Sequence, residues 1–282
     1  MAGVQAGSVM RRVVAMSGSV DDGTLLIVGG GRMGEALLSG LLAAERPAGE
    51  LVVAEVSPSR RQELAEAHPG VVVVDTVVPA VAAVLAVKPA DVADAVRAVA
   101  AAGARRVLSV AAGVTTQAIE AAAGRRLAVV RAMPNTPALI GAGAAAISPG
   151  SAAGEEDLAW AEEVLGAVGV VVRVPETALD AVTGLSGSGP AYVFLVAEAM
   201  VEGGVLAGLP RELAETLTFQ TLLGSSRLLV DGDIGPAALR AAVTSPGGTT
   251  AAGLRELERH GLRAAFLDAV TAAAERAREL GR

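Results

Sequence analysis

The sequence has 282 residues, with no cysteine and only two histidines, and its net charge is −7 at pH 7. It therefore has little material for a zinc site of Cys/His type or for a Ser-His-Asp triad, and we expect no metal. The negative charge argues against nucleic-acid binding. Apolar residues make up 52% of the chain, but Gly, Pro or charge interrupts each apolar run before the ~20 residues of a membrane span. We expect a soluble protein without membrane contact.

Residues 1–22 contain Gly, Ser and the pair Arg11-Arg12, but only the short apolar run 13–16. An export signal needs an apolar stretch of about 7 to 15 residues, so this segment is not a convincing one. We expect a disordered extension, and either Met10 or Met16 is an alternative start.

Short β-rich runs alternate with helical stretches over residues 23–174. The runs are 25–28, 51–54, 71–74, 82–87, 107–111, 127–130 and 170–174. This alternation is typical of a parallel sheet with crossover helices. We predict an α/β fold whose N-terminal domain is a Rossmann-like, doubly wound domain that binds a dinucleotide.

The first run, which ends at Val28, leads into a motif that fits G-x-G-x-x-G. Its residues are Gly29, Gly30, Gly31, Arg32, Met33 and Gly34. In such a motif the first glycine makes a tight turn, the second lets the backbone approach a pyrophosphate, and the third allows close packing of the helix. A glycine-rich turn without a ligand is the alternative.

The residues after the second run give conflicting indications of whether the cofactor is NAD or NADP. Glu55 lies where an acidic residue would accept hydrogen bonds from the ribose hydroxyls and repel a 2'-phosphate, which favours NAD. Ser57, Ser59, Arg60 and Arg61 follow, and hydroxyls with guanidinium groups suit a 2'-phosphate. The two arginines can equally be solvated helix residues. On balance the sequence favours NADP(H), with NAD(H) possible.

Two further segments end strands at the edge where doubly wound folds bind ligands. One is Ala86-Val87-Lys88-Pro89 and the other contains Ala111 and Ala112. Cofactor contacts are expected there, mostly through the backbone. Lys88 can equally be a surface lysine before a helix.

Residues 175–282 give no strand signal and predict an all-helical domain with helices at 192–206, 211–229, 249–259 and 262–280. The first of these is apolar on nearly every side, and roughly a hundred residues cannot bury such helices within one protomer. We therefore expect a large subunit interface, although an alanine-rich composition can look similar. Residues 186–190 predict a loop, which either lines the substrate pocket or allows close helix contact.

Several motifs follow one another in the order found in one enzyme family. They are GGGRMGEAL, AVKPAD, VAAGVT, RAMPNTP, SGSGPAY and AVTSPGGTT. From Thr24 onward the chain resembles the pyrroline-5-carboxylate reductase family, and SGSGPAY and TSPGGTT are the most specific of these matches. Two residues depart from the family pattern. Arg32 replaces a usual Asn, Gln or Ser, and Glu55 replaces a neutral residue of many relatives.

The resemblance implies a dinucleotide-binding domain followed by a helical dimerisation domain, with dimers that assemble further. It also implies NAD(P)H-dependent reduction of 1-pyrroline-5-carboxylate to L-proline, the last step of proline biosynthesis, in the cytoplasm. Thr250 would place its hydroxyl on the ring nitrogen of the substrate.

The loop before Thr250 can hold the substrate carboxylate. Its glycines allow a sharp turn that would leave the N–H groups of Gly247, Gly248 and Thr249 free for an anion, and Ser245 can add a hydroxyl. The alternative is that Thr249 or Ser245 only caps the helix.

Two other functions compete with this one. A 3-hydroxyacid or imine reductase of the same architecture generally carries a catalytic Lys or Asp on the interdomain helix, and residues 191–204 contain no lysine. A nucleotide-binding sensor that had lost turnover would be expected to have a degraded TSPGGTT loop, and this loop is intact.

Overall fold

The computed structural model describes residues 23–281, which form two compact units. One unit contains the chain up to Gly187 and the last residues from Ala273, and the other is Ser188–Ala272. The extension predicted over residues 1–22 lies outside the described residues. The domain boundary predicted after residue 174 stays a prediction.

The first unit is built on a sheet of eight strands. They are β1 Leu25–Val28, β2 Leu51–Ala54, β3 Val72–Val74, β4 Ala82–Leu85, β5 Arg106–Ser109, β6 Ala128–Met133, β7 Gly143–Pro149 and β8 Gly169–Arg173. Their order is β3-β2-β1-β4-β5-β6-β7-β8, and the direction of winding reverses between β1 and β4. A ligand crevice is expected outside the carboxyl ends of the strands at this reversal.

Helices cover both faces of the sheet. They are α1 Arg32–Ala43, α2 Pro58–Ala67, α3 Val92–Ala101, α4 Thr116–Ala123 and α5 Glu155–Gly166, with short 3-10 turns at Ala48–Glu50, Pro89–Asp91, Thr136–Ile140 and Glu176–Ala178. Leu25 and Ile27 pack into the core under α1 and α5, whereas Leu26 and Val28 pack into the core under α3 and α4. Side chains alternate across a strand, so a strand that is apolar throughout serves both layers.

Strand β7 was not predicted, and it makes the sheet mixed. It pairs antiparallel with β6 and parallel with β8. Its residues are mostly Gly and Ala, which have little intrinsic strand preference, so neighbouring strands decide its conformation. Gly169 shows how closely β7 and β8 approach, because a Cβ there would overlap the backbone of Gly143.

The rest of the chain is helical, as predicted. Its helices are α6 Leu179–Val182, a π-helical turn Thr183–Gly187, α7 Gly189–Leu206, α8 Arg211–Asp231, α9 Pro236–Ala242, α10 Thr249–Arg259 and α11 Leu262–Leu280. The bounds predicted for α10 and α11 are confirmed. The short helix α9 was not predicted.

The five-residue loop predicted at residues 186–190 is wrong in extent, because the π-helical turn runs to Gly187 and α7 begins at Gly189, which leaves only a bend at Ser188. The hydroxyl of Thr183 donates to the carbonyl of Leu179 at 2.8 Å, and that of Ser186 donates to the carbonyl of Val182 at 3.1 Å. Side-chain bonds of this kind provide partners for carbonyls where a helix changes pitch. The glycines and Pro190 therefore mark a π-helical turn and the start of a new helix, with only Ser188 between them.

The helical stretch Glu176–Leu206 is long and apolar enough to cross a membrane by length and composition alone. Apolar helices that pack against other protein pass the same test, so a single helix of this kind is weak evidence for a membrane span.

Candidate functional site

The glycine-rich turn lies between β1 and α1. Gly29 has φ of +99°, and a Cβ there would lie 2.6 Å from the carbonyl oxygen of Ala86. A Cβ on Gly34 would overlap the carbonyl oxygen of Gly29. Gly31 differs, because a Cβ there would meet nothing within 4 Å. The first and last glycines are thus required by the fold, whereas Gly31 faces open space.

The start of α1 suits an anion. Gly31 is the N-cap, and it gives no side-chain hydrogen bond to the helix. Arg32 is exposed and Met33 is packed against the core, so both belong to the first turn. The first N–H groups of a helix have no partner inside it and lie at the positive end of its dipole. The open space at Gly31 and these N–H groups fit the pyrophosphate of a dinucleotide.

The predicted cofactor residues follow strand ends that lie level with one another. Val28 pairs with both Ala54 and Leu85, and Leu85 pairs with Ser109. The segments that continue from these strands therefore start at the same edge of the sheet. They carry Glu55, Ser57 and Arg60 after β2, Ala86 to Pro89 after β4, and Ala111 and Ala112 after β5.

These segments differ in exposure. Lys88 and Pro89 are exposed, and Lys88 is the N-cap of the 3-10 turn Pro89–Asp91. Ala111 is buried whereas Ala112 is exposed. Contacts with a cofactor at Ala111 would therefore have to use the backbone.

Glu55 links the glycine turn to the start of α2. Its Oε2 accepts a hydrogen bond from the N–H of Gly30 at 2.8 Å, and its Oε1 accepts one from the N–H of Ser57 at 2.8 Å. Two backbone donors therefore fix the carboxylate beside the turn. This is the place at which a ribose is bound in folds of this type.

Arg60 is partly exposed, and its guanidinium bonds to three protein groups. Its Nε donates to the carbonyl of Gly30 at 2.8 Å, Nη1 donates to Glu63 at 2.8 Å, and Nη2 donates to Glu35 at 2.5 Å. The hydrogen bonds to Glu63 and Glu35 raise the pKa of Arg60 above its ordinary value. Both ends and the Nε of the guanidinium are thus engaged, and a role for Arg60 as a 2'-phosphate ligand stays a prediction.

Ser57 is the N-cap of α2, and its hydroxyl accepts from the N–H of Arg60 at 3.4 Å. The same hydroxyl lies 3.0 Å from that of Ser59. Arg61 donates to the carbonyl oxygens of Glu55 and Val56 at 2.9 Å each. Arg61 therefore fixes the bend between β2 and α2 and is not a freely solvated arginine.

A second polar cluster, centred on Glu176, was missed by sequence reasoning. Glu176 accepts from the N–H of Thr116 at 2.8 Å, from its hydroxyl at 2.7 Å, and from Nη1 of Arg131 at 3.0 Å. Burial by itself raises the pKa of Glu176, but these hydrogen bonds outweigh it and hold the pKa below its ordinary range. The partners lie 45 and 60 residues away in sequence. No local pattern reveals them.

Asn135 in RAMPNTP also makes contacts that were not predicted. Its amide nitrogen donates to the carbonyl of Ser186 at 3.1 Å, and its Oδ1 accepts from the N–H of Ala144 at 2.8 Å. Close by, a Cβ on Gly187 would lie 2.6 Å from Cε of Met133. Two of the motifs that carry the family resemblance therefore meet in the first unit.

The TSPGGTT loop lies in the second unit and leads into α10. Gly247 has φ of +70°, which makes the sharp turn that was predicted. The N–H of Gly248 donates to the carbonyl of Ser245 at 3.1 Å. The expectation that this N–H is free is therefore wrong, because the turn itself uses it.

Thr249 and Thr250 occupy the first turn of α10. Gly248 is the N-cap and provides no side-chain hydrogen bond, so capping by Thr249 or Ser245 is not how this helix begins. Thr249 is exposed and Thr250 is partly buried. The N–H groups of this first turn have no partner within the helix and remain suited to a carboxylate.

The chain was compared with known proteins. Residues 176–280 match the family model described as pyrroline-5-carboxylate reductase dimerisation, and residues 24–113 match that described as NADP oxidoreductase, coenzyme F420-dependent. A pyrroline-5-carboxylate reductase from Synechocystis is 47% identical, over 91% of this chain and 97% of the relative. The chain belongs to the pyrroline-5-carboxylate reductase family. Another relative of that name, from Mycobacterium tuberculosis, is 46% identical, over 91% of this chain and 96% of its own.

Solved structures of pyrroline-5-carboxylate reductases have the same fold. The structure from Coxiella burnetii is 36% identical with a TM-score of 0.87, covering 93% of this chain and 100% of that one. The structure from Plasmodium falciparum, which has NADP bound, is 27% identical with a TM-score of 0.81, covering 94% of this chain and 100% of that one. The pyrroline-5-carboxylate reductase fold thus spans both the glycine turn and the TSPGGTT loop. The family membership supports an oxidoreductase with a Rossmann-like nucleotide-binding part.

Proposed function

We propose that this chain reduces 1-pyrroline-5-carboxylate to L-proline with a reduced nicotinamide cofactor. The observation that carries this proposal is the presence, in one chain, of a glycine turn with open space at Gly31 and an intact TSPGGTT turn at the start of α10. Membership of the pyrroline-5-carboxylate reductase family connects these two features to one reaction. The step would be the last of proline biosynthesis, and we expect it in the cytoplasm.

The glycine turn and the strand ends would hold the cofactor. Gly31 and the first N–H groups of α1 would bind the pyrophosphate, while Glu55, Ser57 and Arg60 would lie around the adenosine ribose. Ala86 to Pro89 and Ala111 to Ala112 would contact the remainder of the dinucleotide. When bound, the reduced nicotinamide supplies the hydride. The sequence favours NADP(H), and NAD(H) also fits the family.

The TSPGGTT loop would hold the substrate. The N–H groups of Gly247 and Thr249, with the hydroxyl of Ser245, would bind the carboxylate at the helix N-terminus, while Gly248 would serve only to shape the turn. The hydroxyl of Thr250 would hydrogen-bond to the imine nitrogen and orient the ring. A threonine hydroxyl is a weak acid, so positioning is expected to contribute more than proton transfer from Thr250 itself.

We also propose that the chain is a homodimer that assembles further. Its helical unit leaves large apolar side chains exposed, among them Phe194 at 62%, Leu195 at 65% and Phe219 at 56%. Exposed apolar surface on this scale is typical of a subunit interface. The match of residues 176–280 to a dimerisation family supports the same assembly.

The test is to follow cofactor oxidation with purified protein and 1-pyrroline-5-carboxylate, using NADPH and NADH in turn. Two other substrate classes serve as the comparison panel. Linear imines are tested for reduction, and 3-hydroxyacids are tested for oxidation with the oxidised cofactor. We expect turnover with the cyclic imine, chromatographic recovery of proline, and far slower reaction with the panel. Cofactor binding without oxidation by any substrate would instead favour a nucleotide sensor.

A further inference from the structure

We propose that Glu55 makes NADH the preferred cofactor of this chain, against the preference for NADP(H) drawn from the sequence. The idea deepens the proposed reductase function and rests on it. NADH and NADPH differ only in the 2'-phosphate on the adenosine ribose. The contacts of Glu55 and Arg60 both bear on it.

The carboxylate of Glu55 is held in place by the protein's own backbone. Its two oxygens each accept a backbone hydrogen bond, from Gly30 and from Ser57, at 2.8 Å. A carboxylate oxygen has a second acceptor site, so these bonds leave capacity for ribose hydroxyls. A fixed acceptor with a negative charge suits two hydroxyls and opposes a phosphate, because like charges in close contact are unfavourable.

The backbone donors that a phosphate would use are also engaged. The N–H of Ser57 is bonded to Glu55, and the N–H of Arg60 is directed at the hydroxyl of Ser57. Pro58, at the first helical position, has no N–H. The start of α2 therefore offers a phosphate few of the donors that a helix N-terminus usually provides.

The cation that could neutralise a 2'-phosphate is committed elsewhere. Arg60 bonds through Nε, Nη1 and Nη2 to Gly30, Glu63 and Glu35, and its side chain is 26% exposed. The two carboxylates that pair with it already offset its positive charge. Arg61 is held by the carbonyls of Glu55 and Val56. Neither arginine is positioned as a free counter-ion.

The experiment measures binding of NADH and NADPH without substrate, by the fluorescence of the reduced nicotinamide. For the wild-type protein we expect the Kd for NADH to be about tenfold to a hundredfold lower than that for NADPH, as a like-charge contact of ~1.4 to 3 kcal/mol would give. Glu55→Gln and Glu55→Ser should each tighten NADPH by about tenfold and change NADH by less. In Glu55→Gln the amide NH2, which is a donor, would face the N–H of Gly30 or Ser57, which is also a donor. Glu55→Ser removes the charge without placing an amide there.

Glu66→Gln is the matched control. It removes one exposed negative charge from the same helix, where the Glu66 carboxylate accepts from Gln62 and not from Arg60, Gly30 or Ser57. We expect it to leave the ratio of the two Kd values within about twofold of wild type. Arg60→Ala should change the two affinities by a similar factor, since its partners are protein groups.

Tighter binding of NADPH than of NADH by the wild type would overturn the role of Glu55. A selective loss of NADPH in Arg60→Ala would do the same, because it would show that Arg60 turns to the phosphate. In both cases reduction of 1-pyrroline-5-carboxylate with NADPH would leave the proposed function standing. Failure to bind either cofactor would overturn both proposals.

Discussion

Arg131 and Glu176, which lie 45 residues apart in sequence, form an ion pair of 3.0 Å in the first unit. The Arg131 side chain is 7% exposed and that of Glu176 is 29% exposed. Glu176 also caps the start of α4 through both hydrogen bonds from Thr116. The pair therefore ties β6 and α4 to the segment that enters the helical half of the chain.

Replacing Glu176 by Gln should destabilise the protein by roughly 1 to 3 kcal/mol, because Arg131 would keep its charge with a weaker partner. The measurement is urea unfolding at pH 7. Glu162→Gln, which removes a surface partner of Arg173, is the control and should destabilise the protein much less. If the two substitutions lowered the free energy of unfolding equally, the burial of Arg131 would not contribute to the effect of Glu176→Gln.

The same pair predicts a pH dependence. The pKa of Glu176 is lower in the folded protein than in the unfolded chain. Its contribution is therefore present above the unfolded value of about 4.3 and is lost as the pH falls through the lower folded pKa. The difference in stability between wild type and Glu176→Gln should be constant near neutral pH and shrink below about pH 4.5. A difference that grew on acidification would contradict this assignment.

Gly31 and Gly34 form a matched pair for the cofactor turn. Gly34→Ala should lower stability by roughly 1 to 3 kcal/mol, because its Cβ would overlap the carbonyl oxygen of Gly29. Gly31→Ala has free space and should fold normally, but its methyl group would occupy the proposed path of the pyrophosphate. We expect about a tenfold rise in Kd for either cofactor, equivalent to ~1.4 kcal/mol. Unchanged binding by Gly31→Ala would remove Gly31 from the site.

Thr250→Val separates chemistry from helix structure. Valine keeps the shape and β-branching of threonine, and no threonine hydroxyl caps α10. Turnover should fall roughly 5-fold to 200-fold, corresponding to ~1 to 3 kcal/mol, with little change in melting temperature. Thr249→Val is the control, since Thr249 would contribute its N–H and not its hydroxyl. Near-normal turnover with a lowered melting temperature for Thr250→Val would exclude a catalytic role.

The helical unit should form the subunit interface of a dimer or of a larger oligomer. We expect sedimentation velocity to show no monomer at micromolar concentration. Phe219→Glu places a charge on exposed apolar surface of α8 and should shift the protein towards monomer. Val56→Glu, at a side chain 84% exposed in the nucleotide-binding unit, should not. A folded wild-type monomer at that concentration would contradict the proposed assembly.

Much of the fold could be predicted because its signals are local. The apolar runs at β1 and β2 are short and bounded by turn residues, so their length and composition mark buried parallel strands. The glycine turn has its own backbone requirement, as the φ of +99° at Gly29 shows. Ser57 followed by Pro58 predicts a helix start for equally local reasons.

Other features depended on partners that are distant in sequence. β7 is a strand because β6 and β8 flank it, although its own residues have weak strand preference. The π-helical turn at Thr183–Gly187 replaces a predicted loop because side-chain hydroxyls and Met133 support it.

The candidate site divides in the same way. The sequence by itself determined the residue types at the cofactor edge and in the TSPGGTT loop, because these motifs are contiguous. Only the tertiary structure decided what those residues touch. Glu55 and Arg60 gave conflicting indications about the cofactor, and hydrogen bonds across 25 and 30 residues to Gly30 fix both of them. Charge and spacing along the chain do not reveal such partners, since these depend on where the sheet brings β1 beside β2.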